Sequence, residues 1–291
     1  MKFLGREIRV RTHACGVNGL SGEPIKPMVK IYAKVTNRCN ARCAFCSNGA
    51  HREEVDFDLD KFIAILKAFE ASDVKLLRVC FTGGEPSCAY QTVEAILEEM
   101  SCRELRAVPA FLSTNGLSES ARQLMRHPRL DSVTMSLHHY DLAKLAEIYG
   151  LSSPIAPFAN LGVKRSKFSA SCNLIKGYID SVEEVKTMMD YALELGCGEI
   201  GFMALRDVSE FCREGVVAIG DPELEQLDHL KFIKCHSFSG GCRCSNYLYT
   251  SGEKKLSVYF RGVFDSNRSD SILMYDGAYL RQGFGEENVI V

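Results

Sequence analysis

Short apolar runs alternate with amphipathic stretches through most of the chain. Met28–Val35 is apolar and brief, the signature of a strand buried on both faces. Asp60–Phe69 then sets Phe62, Ile65, Leu66 and Phe69 on one helical face. The same two beats recur as a strand at Leu76–Phe81 and a helix near Ala89–Met100, whose Val93, Ile96, Leu97 and Met100 share a side. They recur again as Ala107–Leu112 with Ser118–Met125, and as Ser132–Leu137 with a helix near Asp141–Ile148. After a looser connector over 150–167 come a strand at Phe168–Ile175 and a helix from Ser181, where Ser181 and Glu184 have capping-box spacing. Gly196 and Gly198 end that helix, and Glu199–Leu205 reads as a sixth strand.

Six strands alternating with helices imply an α/β fold with a parallel sheet and right-handed crossovers. Residues 28–206 are too few for a closed eight-fold barrel, which takes about 250, so a partial (β/α)6 barrel is expected. Residues 1–27 read as a short N-terminal extension with one alternation, Glu7-Ile8-Arg9-Val10-Arg11. The rhythm breaks after residue 206. Asn246–Thr250 and Leu256–Arg261, around Ser251-Gly252-Glu253-Lys254, predict an antiparallel hairpin in a small C-terminal region spanning 207–291.

Composition narrows the function classes. A formal charge of −2 gives no basic footprint for nucleic acid. No apolar run approaches the roughly 18 residues of a membrane span, and the charged N-terminus does not read as an export signal. Against that background, 13 cysteines and no tryptophan stand out. In a chain without an export signal, clustered cysteines point to metal or redox chemistry in a reducing cytoplasm rather than to disulfides.

Cys39, Cys43 and Cys46 form C-x3-C-x2-C directly after the first strand. Three thiolates on one loop can bind three corners of a four-iron, four-sulfur ([4Fe-4S]) cluster and leave the fourth iron open. A structural zinc site needs four ligands, and His51 lies outside the usual spacings. This segment, with Phe45 before the last cysteine, resembles the radical S-adenosylmethionine (SAM) superfamily over residues 28–206. The resemblance implies that SAM chelates the open iron and is cleaved by one electron to methionine and a 5′-deoxyadenosyl radical, which abstracts a substrate hydrogen. It also implies an electron donor such as flavodoxin or ferredoxin.

Further motifs fall at strand ends. Gly83-Gly84-Glu85-Pro86 matches the family segment that receives the SAM amino group, with glycines for close backbone approach and Glu85 for the ammonium. Ser113 and Asn115 end the third strand and Ser136 the fourth, where relatives place polar contacts to SAM; ordinary turn chemistry is the alternative. On the fifth strand, alternation groups Ser169, Ser171 and Asn173 on one face, assigned to the barrel interior. His138 and His139 stand at the mouth of the fourth strand, His138 as a candidate proton donor or acceptor, with packing as the alternative. Arg206, ending the sixth strand, is a candidate for a carboxylate or phosphate, or for a surface ion pair.

Cys235, Cys242 and Cys244 form a second group just before the hairpin. Cysteines there resemble the auxiliary-cluster extension called SPASM or twitch, and the hairpin is similar to that of the GTP 3′,8-cyclase family of molybdenum-cofactor biosynthesis. An auxiliary Fe–S cluster is the implied cofactor, with an open iron or with Cys212 as fourth ligand; a zinc knuckle is the alternative. The cyclase pattern differs in having C-x2-C before the hairpin, a cysteine after it, a double-glycine tail, and an apolar residue at the position of Arg206, which points away from GTP. The expected substrate is a small metabolite or a peptide, with the short extension before residue 28 favouring the former; neither nucleic acid nor membrane is an expected partner. The alternative of another class is a non-catalytic Fe–S electron-transfer protein, which leaves the Gly83–Pro86 segment without a use.

Overall fold

In a computed structural model the described residues are 1–13, 24–48, 56–217, 219–237, 243–261, 272–283 and 288–291; the side chains of 11–13, 24–25, 234–237 and 243–244 are outside the description. The six expected strands are present as β1 (Pro24–Lys34), β2 (Lys75–Thr82), β3 (Ala110–Thr114), β4 (Ser132–Ser136), β5 (Phe168–Leu174) and β6 (Glu199–Ala204), in that spatial order and all parallel. Helices α1 (Leu59–Ala68), α2 (Tyr90–Glu99), α3 (Glu119–Met125), α4 (Leu142–Ile148) and α5 (Val182–Glu194) connect them. Alternation explains the layering. Val29, Ile31 and Ala33 of β1 are buried, as are Phe62, Ile65 and Leu66 of α1 and Val93, Ile96 and Leu97 of α2, while the intervening strand positions are only half-buried.

Local chemistry sets the helix starts. Asp58, Ser118, Asp141 and Ser181 each accept a hydrogen bond from a first-turn backbone N–H. At α5 the expected box is modified: Glu184 accepts from the N–H of Asp180 rather than of Ser181. Two boundaries differ from expectation. β1 begins at Pro24, inside the supposed extension, because Arg11–His13 pairs with its first residues. β3 begins at Ala110, not Ala107. Arg129 donates to the carbonyls of Met100, Leu105 and Val108, so this stretch is a turn, and Pro109 has no N–H for a ladder.

The C-terminal strands extend the barrel sheet instead of standing apart from it. β7 (Leu230–Ser237), β8 (Arg243–Ser251) and β9 (Lys254–Arg261) form an antiparallel run, and β9 pairs in parallel with β6, Tyr259 opposite Gly201 and Arg261 opposite Met203. At the other edge β10 (Ile272–Tyr275) pairs in parallel with β1, followed by β11 (Leu280–Gln282). Eight parallel strands therefore run from β9 to β10. Gly201 makes the β6–β9 contact possible, since a Cβ there would lie 2.2 Å from the Tyr259 ring. Tyr275 packs on Phe57 and Phe62, tying β10 to α1. Among the described residues, no helix is long and apolar enough to cross a membrane.

Candidate active site

The C-terminal ends of the parallel strands converge on a cavity of about 300 Å³. The segment 36–48 that follows β1 forms one wall, and hydrogen bonds from several neighbouring elements hold it there. Gly84 N–H donates to Thr36 O (2.8 Å) and Glu85 N–H to Arg38 O (2.8 Å). Asn48 donates to Gly83 O (2.8 Å), and Asn115 to the Asn40 side chain (2.6 Å). Arg42 N–H donates to Tyr149 O (2.7 Å), and Ser209 to Ala44 O (3.1 Å). The cysteine loop is thus positioned by the turns after β2 and β3, by the C-terminal end of α4 and by the segment that follows β6.

Gly83 and Gly84 serve this packing directly. Gly83 has φ +138°, and a Cβ there would lie 2.3 Å from Thr36 O; at Gly84 it would lie 2.0 Å from Arg38 O. The close approach expected toward SAM is, in the structure, an approach to the cysteine loop's own backbone. Gly84 also lines the cavity; Gly83 is not among its lining residues.

Cys39, Cys43 and Cys46 all line the cavity. Burial, with neighbouring cysteine thiolates adding, pushes the Cys39 thiol up to about 11 and the Cys43 thiol up to about 12. Without metal these groups are neutral, so binding a cation there releases protons. Among the described residues no three His, Cys, Asp or Glu side chains close around a single ion. Three thiolate donors on one loop can each take a different iron of a four-iron cluster, whereas a structural zinc site takes four ligands.

Glu85 is buried, at 2% exposure, and lines the cavity. Its Oε1 accepts from Ser87 N–H (3.1 Å) and Thr114 Oγ1–H (2.7 Å), and its Oε2 from Asn115 N–H (2.8 Å). Burial pushes this carboxyl up, and the donors pull it partly back. A carboxylate has about four lone-pair sites, so one remains for a cationic ligand.

The other candidates assemble as follows. Phe45, Ser113, Asn115, Ser136, Ser171, Asn173, His138 and Arg206 all line the same cavity. His138 Nδ1 accepts from the Asn173 N–H (3.0 Å), which leaves the ring proton on Nε2, and Phe45 meets its ring edge-on at 4.8 Å. Burial holds its pKa down at about 3. It is a neutral hydrogen-bond donor at physiological pH, with Nδ1 already engaged. His139, held down at about 4 chiefly by burial, accepts from Asp141 N–H and is not among the lining residues.

The depressed pKa of His138 carries a testable consequence. A folded value near 3 against an unfolded value near 6.5 means that the stabilisation is complete above pH 6.5 and is lost as pH falls toward 3. Urea denaturation of reduced, cluster-free protein should show wild type losing about 2 kcal/mol more than His138→Gln between pH 7 and pH 5. Parallel pH dependences for the two proteins contradict the assignment.

The second cysteine group is reached only in part. Cys242 lies outside the described residues, as do the side chains of Cys235 and Cys244; their backbones sit on β7 and β8, Cys235 opposite Ser245 and Cys244 opposite His236. Cys212, considered as a fourth ligand, is on the short helix α6 (Glu210–Glu214), buried in an apolar cluster with Ile148, Ile175 and Leu205 against which Phe45 packs. That setting is one of apolar packing beside the first cysteine loop. Cys80, Cys172 and Cys197 are buried in the apolar core.

Several lining residues escaped sequence reasoning: Asn48, Thr82, Tyr149, Met203 and Arg261. Tyr149 donates its hydroxyl to Ser136 O while its own carbonyl holds Arg42. Arg261 ends the alternation Ser257-Tyr259-Arg261, which was visible; that β9 joins the barrel was not.

Residues 33–153 match the family model described as the Radical SAM superfamily. Over these residues the chain carries a radical SAM domain. Over 171 residues it is 26% identical to the PqqA peptide cyclase of Methylorubrum populi, covering 58% of this chain and 44% of that protein. Over 195 residues it is 28% identical to the GTP 3′,8-cyclase of Hydrogenovibrio crunogenus, covering 62% and 55%. The chain thus spans about half the length of the curated relatives it matches. Among solved structures, Streptococcus suis SuiB bound to S-adenosylmethionine superposes with TM-score 0.50 at 19% identity, over 66% of this chain and 44% of that one. A radical SAM methyltransferase from Sphaerobacter thermophilus gives 0.51 at 17%, over 69% and 62%. These likenesses support the fold. Cys39, Cys43 and Cys46 lie within the residues matched by the family model and line the cavity at the strand ends.

Proposed function

We propose that this protein is a radical SAM enzyme that cleaves SAM reductively at a four-iron cluster held by Cys39, Cys43 and Cys46 and abstracts hydrogen from a substrate in the adjoining cavity. The observation that carries this reading is the convergence of three thiols and the polar ends of β3, β4 and β5 on one cavity. The bound cluster and SAM would supply the bond cleavage and the radical. The chain's own residues orient and shield. The free lone-pair site of Glu85 suits the SAM ammonium, while Ser113, Asn115, Ser136, Ser171 and Asn173 offer hydrogen bonds around it. His138 serves as a donor that orients a cavity ligand, since its Nδ1 is engaged.

Residues 28–206 would be the catalytic barrel, and 207–291 the region holding an auxiliary Fe–S cluster through Cys235, Cys242 and Cys244, supported by their spacing beside the β7–β8 connection. A flavodoxin or ferredoxin would supply the electron, and a cytoplasmic setting suits such clusters. A peptide substrate is the second reading, favoured by the similarity to PqqA peptide cyclases.

Anaerobic reconstitution with iron and sulfide, followed by dithionite and SAM, tests the class. The expected product is 5′-deoxyadenosine, detected by mass spectrometry. An intact cluster that leaves SAM uncleaved sinks the reading.

A further inference from the structure

Beyond the cysteines, the cavity's charged lining consists of Glu85, Arg206 and Arg261 among the described residues. Glu85 is largely committed to Ser87, Thr114 and Asn115. The two arginines come from adjacent strands: Arg206 follows the end of β6, and Arg261 ends β9 opposite Met203. A third guanidinium belongs to a residue outside the cavity lining. Arg78 of β2 covers the Phe111 ring at 4.3 Å, and its charge and those of Arg206 and Arg261 all act on the buried Tyr32 phenol. Arg78 and Arg261 also act on Glu199, whose own carboxyl is pushed up by burial. Three guanidinium charges therefore act on one phenol, and two of them also act on an acid that resists ionising.

Gathering like charges in a half-buried interior costs free energy, and Arg206 and Arg261 bring two guanidiniums to the lining of one cavity from adjacent strands. The cost is visible at Arg206, where burial and the neighbouring Arg261 charge both disfavour the charged form. Each guanidinium presents five N–H donors in a planar fork that matches the paired oxygens of a carboxylate or phosphate. Such convergence of perturbed charges in a cleft marks a ligand site.

We infer that Arg206 and Arg261 form an oxyanion-binding subsite, so that the substrate of this cavity bears a carboxylate or phosphate group. The inference rests on the radical SAM reading for the word substrate, but anion binding can be measured without turnover. The wall carrying the cysteines takes the cofactor, and the β6–β9 wall takes the anion and thereby sets which end of the substrate enters.

The test is calorimetric titration of the anaerobically reconstituted, SAM-saturated protein with inorganic phosphate, with succinate and with neutral succinamide. At least one dianion should bind and succinamide should not; the stronger of phosphate and succinate identifies the source chemistry. R206Q/R261Q should weaken that binding by about ten-fold or more. If the double variant does not fold, R206K and R261K retain the charge, lose the fork, and should each weaken binding by several-fold. Equal binding of succinamide, no dianion binding by wild type, or unchanged affinity in every arginine variant overturns the inference. So does dianion binding that appears only in a parallel titration without SAM, which would assign the arginines to the SAM carboxylate. Wild type that makes 5′-deoxyadenosine yet binds no dianion refutes this inference alone; dianion binding without SAM cleavage refutes the class reading alone.

Discussion

Replacing Cys39, Cys43 and Cys46 together with alanine should remove about four irons per chain from the reconstituted protein and abolish formation of 5′-deoxyadenosine. The difference from wild type is the informative quantity, because Cys235, Cys242 and Cys244 form a second candidate site whose iron would remain. Iron content and the visible absorbance of the cluster read the result. Global folding should survive, because Cys39 and Cys43 are only half-buried and Cys46 is exposed, while the loop's backbone anchors do not involve the sulfur atoms of 43 and 46. Unchanged iron in the triple variant would contradict the site. Loss of one iron instead of four would point to a mononuclear centre.

Glu85→Ala should destabilise the fold by roughly 3–6 kcal/mol, with Glu85→Gln costing roughly 1–3 kcal/mol. Alanine leaves the N–H groups of Ser87 and Asn115 and the Thr114 hydroxyl without their buried acceptor. Thr114 Oγ1 in turn accepts from Gly116 N–H, so the loss reaches the whole turn after β3. Glutamine keeps the shape and one acceptor oxygen, but its amide sets N–H against N–H at one of the three donors. Cavity water can replace part of what alanine removes, which favours the lower end of the range. Urea midpoints measured on cluster-free protein separate this structural role from cofactor binding. A Glu85→Ala variant within about 0.5 kcal/mol of wild type would show that the carboxylate is not the latch between β2 and β3 that its hydrogen bonds describe.

These two sites were legible to different depths. The cysteine spacing is local chemistry, readable in eight residues, and the structure adds only how the loop is held. Glu85 was found through its motif, with an expected role toward a ligand. Its hydrogen bonds show that it also joins residues about 30 apart in sequence, a pairing that no periodicity carries. Gly83 and Gly84 repeat the lesson: glycine's permissiveness was evident, but the backbone it accommodates belongs to Thr36–Arg38.

The sequence by itself determined the six alternating units, the cap at Ser181, the inward polar face of β5, and the three-cysteine loop. All are set by short-range rules of side-chain period, capping and donor spacing. Tertiary structure alone decided that β9 and β10 flank the six parallel strands on either side, and hence that Arg261 and Arg206 line the same cavity. Strand partnership is chosen by which exposed edge satisfies a ladder of backbone donors and acceptors, and an edge exists only once the barrel has formed.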